Sequence, residues 1–172
     1  MSCSECDVYW YGEELPKCSE RQHQHQRFEI HRHRSVVIFP DRTEVTAVSF
    51  DQSDPYTRES VPDYGLYLDD RWQPPWGHDH LDWPDFGVPV NAPQAIFMMK
   101  SAFNRARGGL RIELGCIGGH GRTGTALACM AIFSGLSPSD AVEWVRSNYC
   151  TQAIEILEQE AFVNELISET NS

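Results

Sequence analysis

Cationic side chains are scarce in this 172-residue chain. Its 14 lysines and arginines are outnumbered by 25 aspartates and glutamates, and the formal net charge is −11. A surface that acidic repels polyanions, which excludes duplex nucleic acid and anionic lipid headgroups as default partners. Long apolar runs are also missing. The longest, residues 126–133, has eight members, whereas a membrane-spanning helix needs about 20, so no membrane partner is expected. The opening Met-Ser-Cys-Ser-Glu-Cys-Asp has neither the basic start nor the apolar stretch of a secretory signal, and a cytoplasmic location is the expectation. There the six cysteines are read as thiols, metal ligands or catalytic groups, not disulfides. No repeat or low-complexity tract interrupts the chain. Its 41% apolar content fits one compact domain and argues against disorder. Any anion site on such a molecule must be built locally, from backbone N–H groups or a placed arginine.

Composition divides the chain at residues 34 and 35. Residues 1–34 hold three of the six cysteines and four of the seven histidines, and residues 35–172 form the main domain. Within it, 35–39 is a short β-branched run, 40–43 a turn, 44–50 a second strand and 64–68 a third. Residues 71–91 carry Pro74, Pro75, Gly77, Pro84, Gly87 and Pro89, which predicts a long ordered loop of the kind that carries function. A helix is predicted over 93–107, with Pro93 in its first turn and Gly108-Gly109 at its end. A strand over 110–114, an apolar helix over 122–133, a helix capped near Ser137 and running to about Asn148, and a last helix over 154–168 complete the pattern. Strands alternating with helices predict an α/β fold with helices packed on a central sheet.

The most informative segment is Cys116-Ile117-Gly118-Gly119-His120-Gly121-Arg122-Thr123-Gly124, between the predicted strand and the apolar helix. Three glycines in four positions let the backbone turn tightly and aim successive N–H groups inward. The helix that follows adds its positive end. The result is a cup for a dianion, and Arg122 can clamp two oxygens in a bidentate fork. Cys116 sits at the floor, where the same N–H groups favour a thiolate. Two other glycine-loop readings compete. Gly119-x-Gly121-x-x-Gly124 fits the dinucleotide fingerprint, which also requires a second strand and an acidic residue about 20 positions on; here helix follows helix. A nucleoside-triphosphate loop requires a lysine that is absent. An inert glycine turn would have no use for Arg122.

Transfer of a phosphoryl group to a thiolate leaves an oxygen that needs a proton, and a carboxylic acid on a loop can supply it. Asp85 in Trp83-Pro84-Asp85-Phe86-Gly87-Val88-Pro89 is the candidate, 31 residues before Cys116. Together the two motifs resemble those of the cysteine-dependent protein tyrosine phosphatase superfamily, in the order of its classical and dual-specificity branches. The resemblance covers residues ~60–165 and implies a tyrosine-phosphatase-like three-layer sandwich, a central mixed sheet flanked by helices. It implies that Cys116 forms a phosphocysteine, that Arg122 binds phosphate and stabilises the transition state, and that Asp85 is acid and then base. It further implies that Thr123 hydrogen-bonds the sulfur and that Ile117, Gly118, Gly119, His120, Gly121 and Arg122 supply the cup. The segment from Ala153 to Phe162 resembles the one that follows the signature loop in compact members, which makes Gln159 a candidate for orienting the hydrolytic water, with Gln152 a weaker one. A solvated helix glutamine is the competing reading. No cofactor is implied for catalysis. The implied partner is a phosphorylated protein, with phosphotyrosine or dual specificity. A small-molecule or nucleotide phosphatase, or a silent phosphopeptide-binding module, are the alternatives.

The chain departs from the family pattern in places. Gly115 stands where the family usually has a histidine before the cysteine. No lysine or arginine lies between Cys116 and Arg122, unlike the inositide branches, which points to phosphoprotein substrates. His120 is expected to face solvent. Tyr56, Tyr64 and Tyr67 are candidates for stacking on a phosphotyrosine ring. In the N-terminal segment, Cys3, Cys6, Cys18 and His23 (or His25) have ligand types suited to a structural zinc knuckle. Chance cysteines on a mobile terminus are the alternative. His31 and His33 are read as a solvent-facing strand, and Cys129 and Cys150 as helix-packing residues.

Overall fold

The computed structural model describes residues 33–50 and 55–166. The expected zinc ligands Cys3, Cys6, Cys18 and His23 lie outside the described residues. The elements run β1 (Arg34–Ile38), β2 (Glu44–Ser49), β3 (Tyr64–Tyr67), β4 (His78–His80), α1 (Ala92–Arg107), β5 (Ile112–Cys116), α2 (Gly121–Phe133), α3 (Pro138–Asn148) and α4 (Leu157–Glu165). The strands form one sheet in the order β1-β2-β5-β3-β4. Only β1 is antiparallel to its neighbour; β2, β5, β3 and β4 are mutually parallel. The sheet is mixed and is the central layer of a three-layer sandwich, as the sequence implied.

The period-two alternation of the strands separates two apolar clusters. Val45 and Ala47 of β2, Leu66 of β3, and Ile112, Leu114 and Cys116 of β5 share one core with all four helices. Intervening positions face the other way. Val48, Phe50 and Tyr67 meet Trp72 and Trp76 of the following loop. Glu113, from the same face of β5, is buried there; it pairs with Arg58 at 2.7 Å and accepts from the Tyr67 hydroxyl at 3.0 Å. That hydroxyl in turn accepts from the Trp76 indole N–H at 2.6 Å. Tyr67 is therefore sealed beneath the sheet and cannot stack on a substrate ring.

Local chemistry explains where the observed elements differ from the predicted ones. The strand predicted at 110–114 begins two residues later. Leu110 still closes the end of α1, its N–H bonding to the Arg105 carbonyl at 3.1 Å, and Arg111 is held by Asp63. The delay makes Cys116 the last residue of β5. Within the predicted loop 71–91, β4 adds three residues to the sheet edge. The last helix starts at Leu157, because Ile154 has a positive φ of 64° and Ile156 is extended. α1 starts as expected: the Asn91 side chain accepts the Gln94 N–H, and a proline occupies the first turn. His33, expected on a solvent-facing strand, precedes β1 and is only 8% exposed.

Candidate active site

Cys116 ends β5, and the chain turns at once into the glycine loop and α2. The turn needs its glycines. Gly119 has φ +74°, and a Cβ there would lie 2.9 Å from Ser49 Cβ and 3.1 Å from the His33 ring. At Gly121 a Cβ would run into the Glu155 carboxylate. The Cys116 side chain is buried and receives two donors: the Gly119 N–H at 3.3 Å and the Thr123 hydroxyl at 3.1 Å.

Arg122 lies in the first turn of α2 with its side chain buried. Its Nη1 donates to the Leu68 carbonyl at 2.8 Å and to the Trp83 carbonyl at 3.1 Å. Its Nη2 is 3.1 Å from Asp69 and 3.3 Å from Asp85. The Nε is buried with no hydrogen-bond partner among the described residues. A buried donor without an acceptor costs about 1–3 kcal/mol, and an oxyanion on the guanidinium edge would supply the acceptor.

The structure brings Asp85 to this guanidinium from 37 positions earlier in the sequence. Trp83 is buried and its indole N–H donates to the Gly87 carbonyl at 2.8 Å, which folds the Trp83–Gly87 segment into a tight arch. Asp85 stands on that arch with its carboxylate largely exposed, and Phe86 beside it has a positive φ of 52°. Gln159 is fully buried, which excludes the solvated-helix reading. Its amide N–H donates to the same Gly87 carbonyl at 3.1 Å, and its oxygen accepts the Glu155 N–H at 3.0 Å. Gln159 thus ties the Trp83–Gly87 arch to the segment before α4. Gln152 lies in the turn after α3, and its backbone N–H donates to the Cys150 sulfur at 3.4 Å.

Two carboxylates in this region were not singled out from sequence. Asp69 is buried and accepts from Arg71 at 2.7 and 2.8 Å as well as from Arg122. The Arg71 hydrogen bonds, with the Arg122 charge behind them, pull its carboxyl from 3.8 to about 2. It follows β3, which runs parallel beside β5, and the carboxyl ends of neighbouring parallel strands are where α/β sheets bind ligands. That rule was the available signal. Glu155 is the second. Burial and then the charge of Asp85 push its carboxyl up, against the opposing pull of Arg122.

Tyr64 donates to Asp79 and lies under the Arg105 guanidinium, and Tyr56 packs on Trp72. Neither is joined to the cup by a described contact. His120, expected in solvent, is partly buried; its Nε2 lies 3.2 Å from that of His33. Together with Cys150 these form a group of metal-capable side chains consistent with a structural zinc, with all three donor atoms within 4.8 Å of one another. Cys129 is buried in α2, where burial pushes its thiol up to about 12, fitting a packing role. Cys150 is buried too, but stands in that donor group as well as in the core.

Similarity to solved structures decides the fold. Tk-PTP in its active form superposes with a TM-score of 0.56 at 28% identity, covering 63% of this chain and 80% of that one. Kinase-associated phosphatase superposes at 0.61 with 14% identity, covering 81% and 97%. Human DUSP28 superposes at 0.58 with 14% identity, covering 80% and 100%. The fold is that of the protein tyrosine phosphatase superfamily. No protein-family model matches the chain. Two uncharacterized proteins of Methanocaldococcus jannaschii match by sequence, at 37% identity over 83 residues and 36% over 85. Each match takes in 48% of this chain, and the chain spans about half the length of these curated relatives. The phosphatase fold, with a buried cysteine beneath a glycine loop and an arginine at the helix start, supports a phosphatase-like hydrolase. Among the described residues no helix is long and apolar enough to cross a membrane.

Proposed function

We propose that the chain hydrolyses phosphotyrosine, with dual specificity as an extension, through a phosphocysteine on Cys116. The observation that carries this reading is the fork of Arg122. Its buried guanidinium is held by the Leu68 and Trp83 carbonyls and by Asp69, leaving Nε for an oxyanion above the Cys116 sulfur. In the first step the sulfur attacks phosphorus, the ester P–O bond breaks, and Asp85 gives its proton to the departing oxygen. In the second a water attacks phosphorus, Asp85 takes its proton, and the S–P bond breaks. The Thr123 hydroxyl, 3.1 Å from the sulfur, stabilises the thiolate as it leaves. Arg122 holds the equatorial oxygens in both steps, and the N–H groups of Ile117 to Arg122 line the cup.

Gln159 positions the acid arch through Gly87. The acidic net charge and the lack of basic residues inside the loop favour a phosphoprotein over a polyphosphorylated small molecule. The test is hydrolysis of an aryl phosphate, then of phosphotyrosine peptides against phosphoserine peptides and nucleotides. Turnover on the tyrosine peptides with little on nucleotides is expected. Nucleotides as the better substrates would overturn the substrate class. No turnover at all, with phosphopeptide binding retained, would make the chain a silent binding module.

A further inference from the structure

Beside the catalytic cup, three residues from distant parts of the sequence bring their donor atoms together. His33 precedes β1, His120 is in the signature loop, and Cys150 follows α3. His33 and Cys150 are 8% and 7% exposed. The imidazole Nε2 atoms are 3.2 Å apart. Two imidazoles on one tetrahedral zinc, at Zn–N of about 2.0–2.1 Å, have their nitrogens about 3.3 Å apart. The ring planes cross at 76°, as suits two ligands converging on one point rather than stacking. The surroundings hold His33 and the loop beside His120. The His33 backbone N–H donates to Ser49 Oγ at 2.7 Å, its ring packs on Tyr149 at 4.6 Å, and the Tyr149 hydroxyl donates to the Gly119 carbonyl at 2.7 Å.

We propose that His33, His120 and Cys150 form a metal site of the zinc class, which fastens the crest of the signature loop to the chain before β1 and to the turn after α3. The donor set of two imidazoles and one thiolate suits Zn²⁺ and Co²⁺ and is too soft for Mg²⁺ or Ca²⁺. A fourth, non-protein ligand such as water completes the tetrahedron. Loading releases the Cys150 proton to solvent as the S–metal bond forms. The ion takes the place of the contact between the two rings, so the loop keeps its path. The site does not rest on the phosphatase reading, because its ligands and its readout involve no turnover.

The test uses the full chain with Cys3, Cys6 and Cys18 changed to Ser and His23 and His25 changed to Ala, so that the N-terminal segment cannot supply the ligands named for it. One equivalent of Co²⁺ should bind, with a sulfur-to-cobalt charge-transfer band and the intense visible bands of a tetrahedral ion. Cys150→Ser should abolish the charge-transfer band, and His33→Gln should weaken binding by about 100-fold or more, in line with the sensitivity of metal sites to their shells. Circular dichroism checks that both variants fold. X-ray absorption on the zinc-loaded parent gives an answer that needs neither variant: two imidazole nitrogens and one sulfur are expected. Substoichiometric metal, a shell with no sulfur or more than one, or a band abolished by Cys116→Ser and untouched by Cys150→Ser would each overturn the site.

Discussion

Replacing Asp69 with Asn should cost stability in a pH-dependent way that the structure fixes. The carboxylate is buried and accepts from Arg71 and Arg122; an amide of the same shape keeps one acceptor and turns a donor toward a guanidinium. The folded-state value is about 2 against 3.8 for the free group. A depressed carboxylate contributes stability that is fully present above its unfolded value and is lost as pH falls through its folded value. The contribution is about 2 kcal/mol near neutral pH, about 1 kcal/mol near pH 3, and close to zero below pH 2. Urea unfolding followed by tryptophan fluorescence reads this directly, since Trp72, Trp76 and Trp83 are buried. At an ordinary urea dependence the neutral-pH difference shifts the midpoint by about 1 M. The gap between the native chain and Asp69→Asn should narrow steadily on acidification. Equal midpoints near neutral pH, or a gap unchanged down to pH 3, would refute the argument that Asp69 is held ionised by its two arginines.

Cys116→Ser should abolish aryl phosphate hydrolysis while tungstate binding, measured by calorimetry, persists. Asp85→Ala should slow turnover by about 10²–10⁴-fold, and least for leaving groups that need no proton; an unchanged rate on phosphotyrosine would remove Asp85 as the acid. Gly119→Ala forces a side chain into a φ of +74° against Ser49, at about 1–3 kcal/mol of strain, and should lower both the melting temperature and the affinity for phosphate. Gln159→Ala removes one of the two donors to the Gly87 carbonyl and should lower kcat more than KM, with the loss fading for good leaving groups.

The sheet, the helices and the two motifs were legible because each has a local cause. Strand alternation, Pro93 in the first turn of α1, and a glycine loop between strand and helix are all short-range patterns. What escaped was set by tertiary contact. Leu110 reads as a strand residue in isolation, yet it completes the turn at the end of α1. His33 looks like one of an alternating exposed pair, yet Ser49, Tyr149 and His120 enclose it. Tyr67 reads as an available ring, yet Glu113 and Trp76 bind its hydroxyl under the sheet. Asp69 and Glu155 approach the cup from segments 47 positions before and 39 after Cys116. Only the parallel register of β3 with β5, and the fold of the segment before α4, bring them there.

The Trp83–Gly87 arch is fastened at two places, by Arg122 on the Trp83 carbonyl and by Gln159 on the Gly87 carbonyl. At about 1 kcal/mol net per bond, the pair would favour this placement roughly thirtyfold over one that lacks both bonds. On the proposed reading an oxyanion takes the Nε of Arg122 and leaves the Trp83 contact standing. Anion capture and the seating of the arch would then draw on different edges of one guanidinium, so a change at Arg122 would disturb both at once.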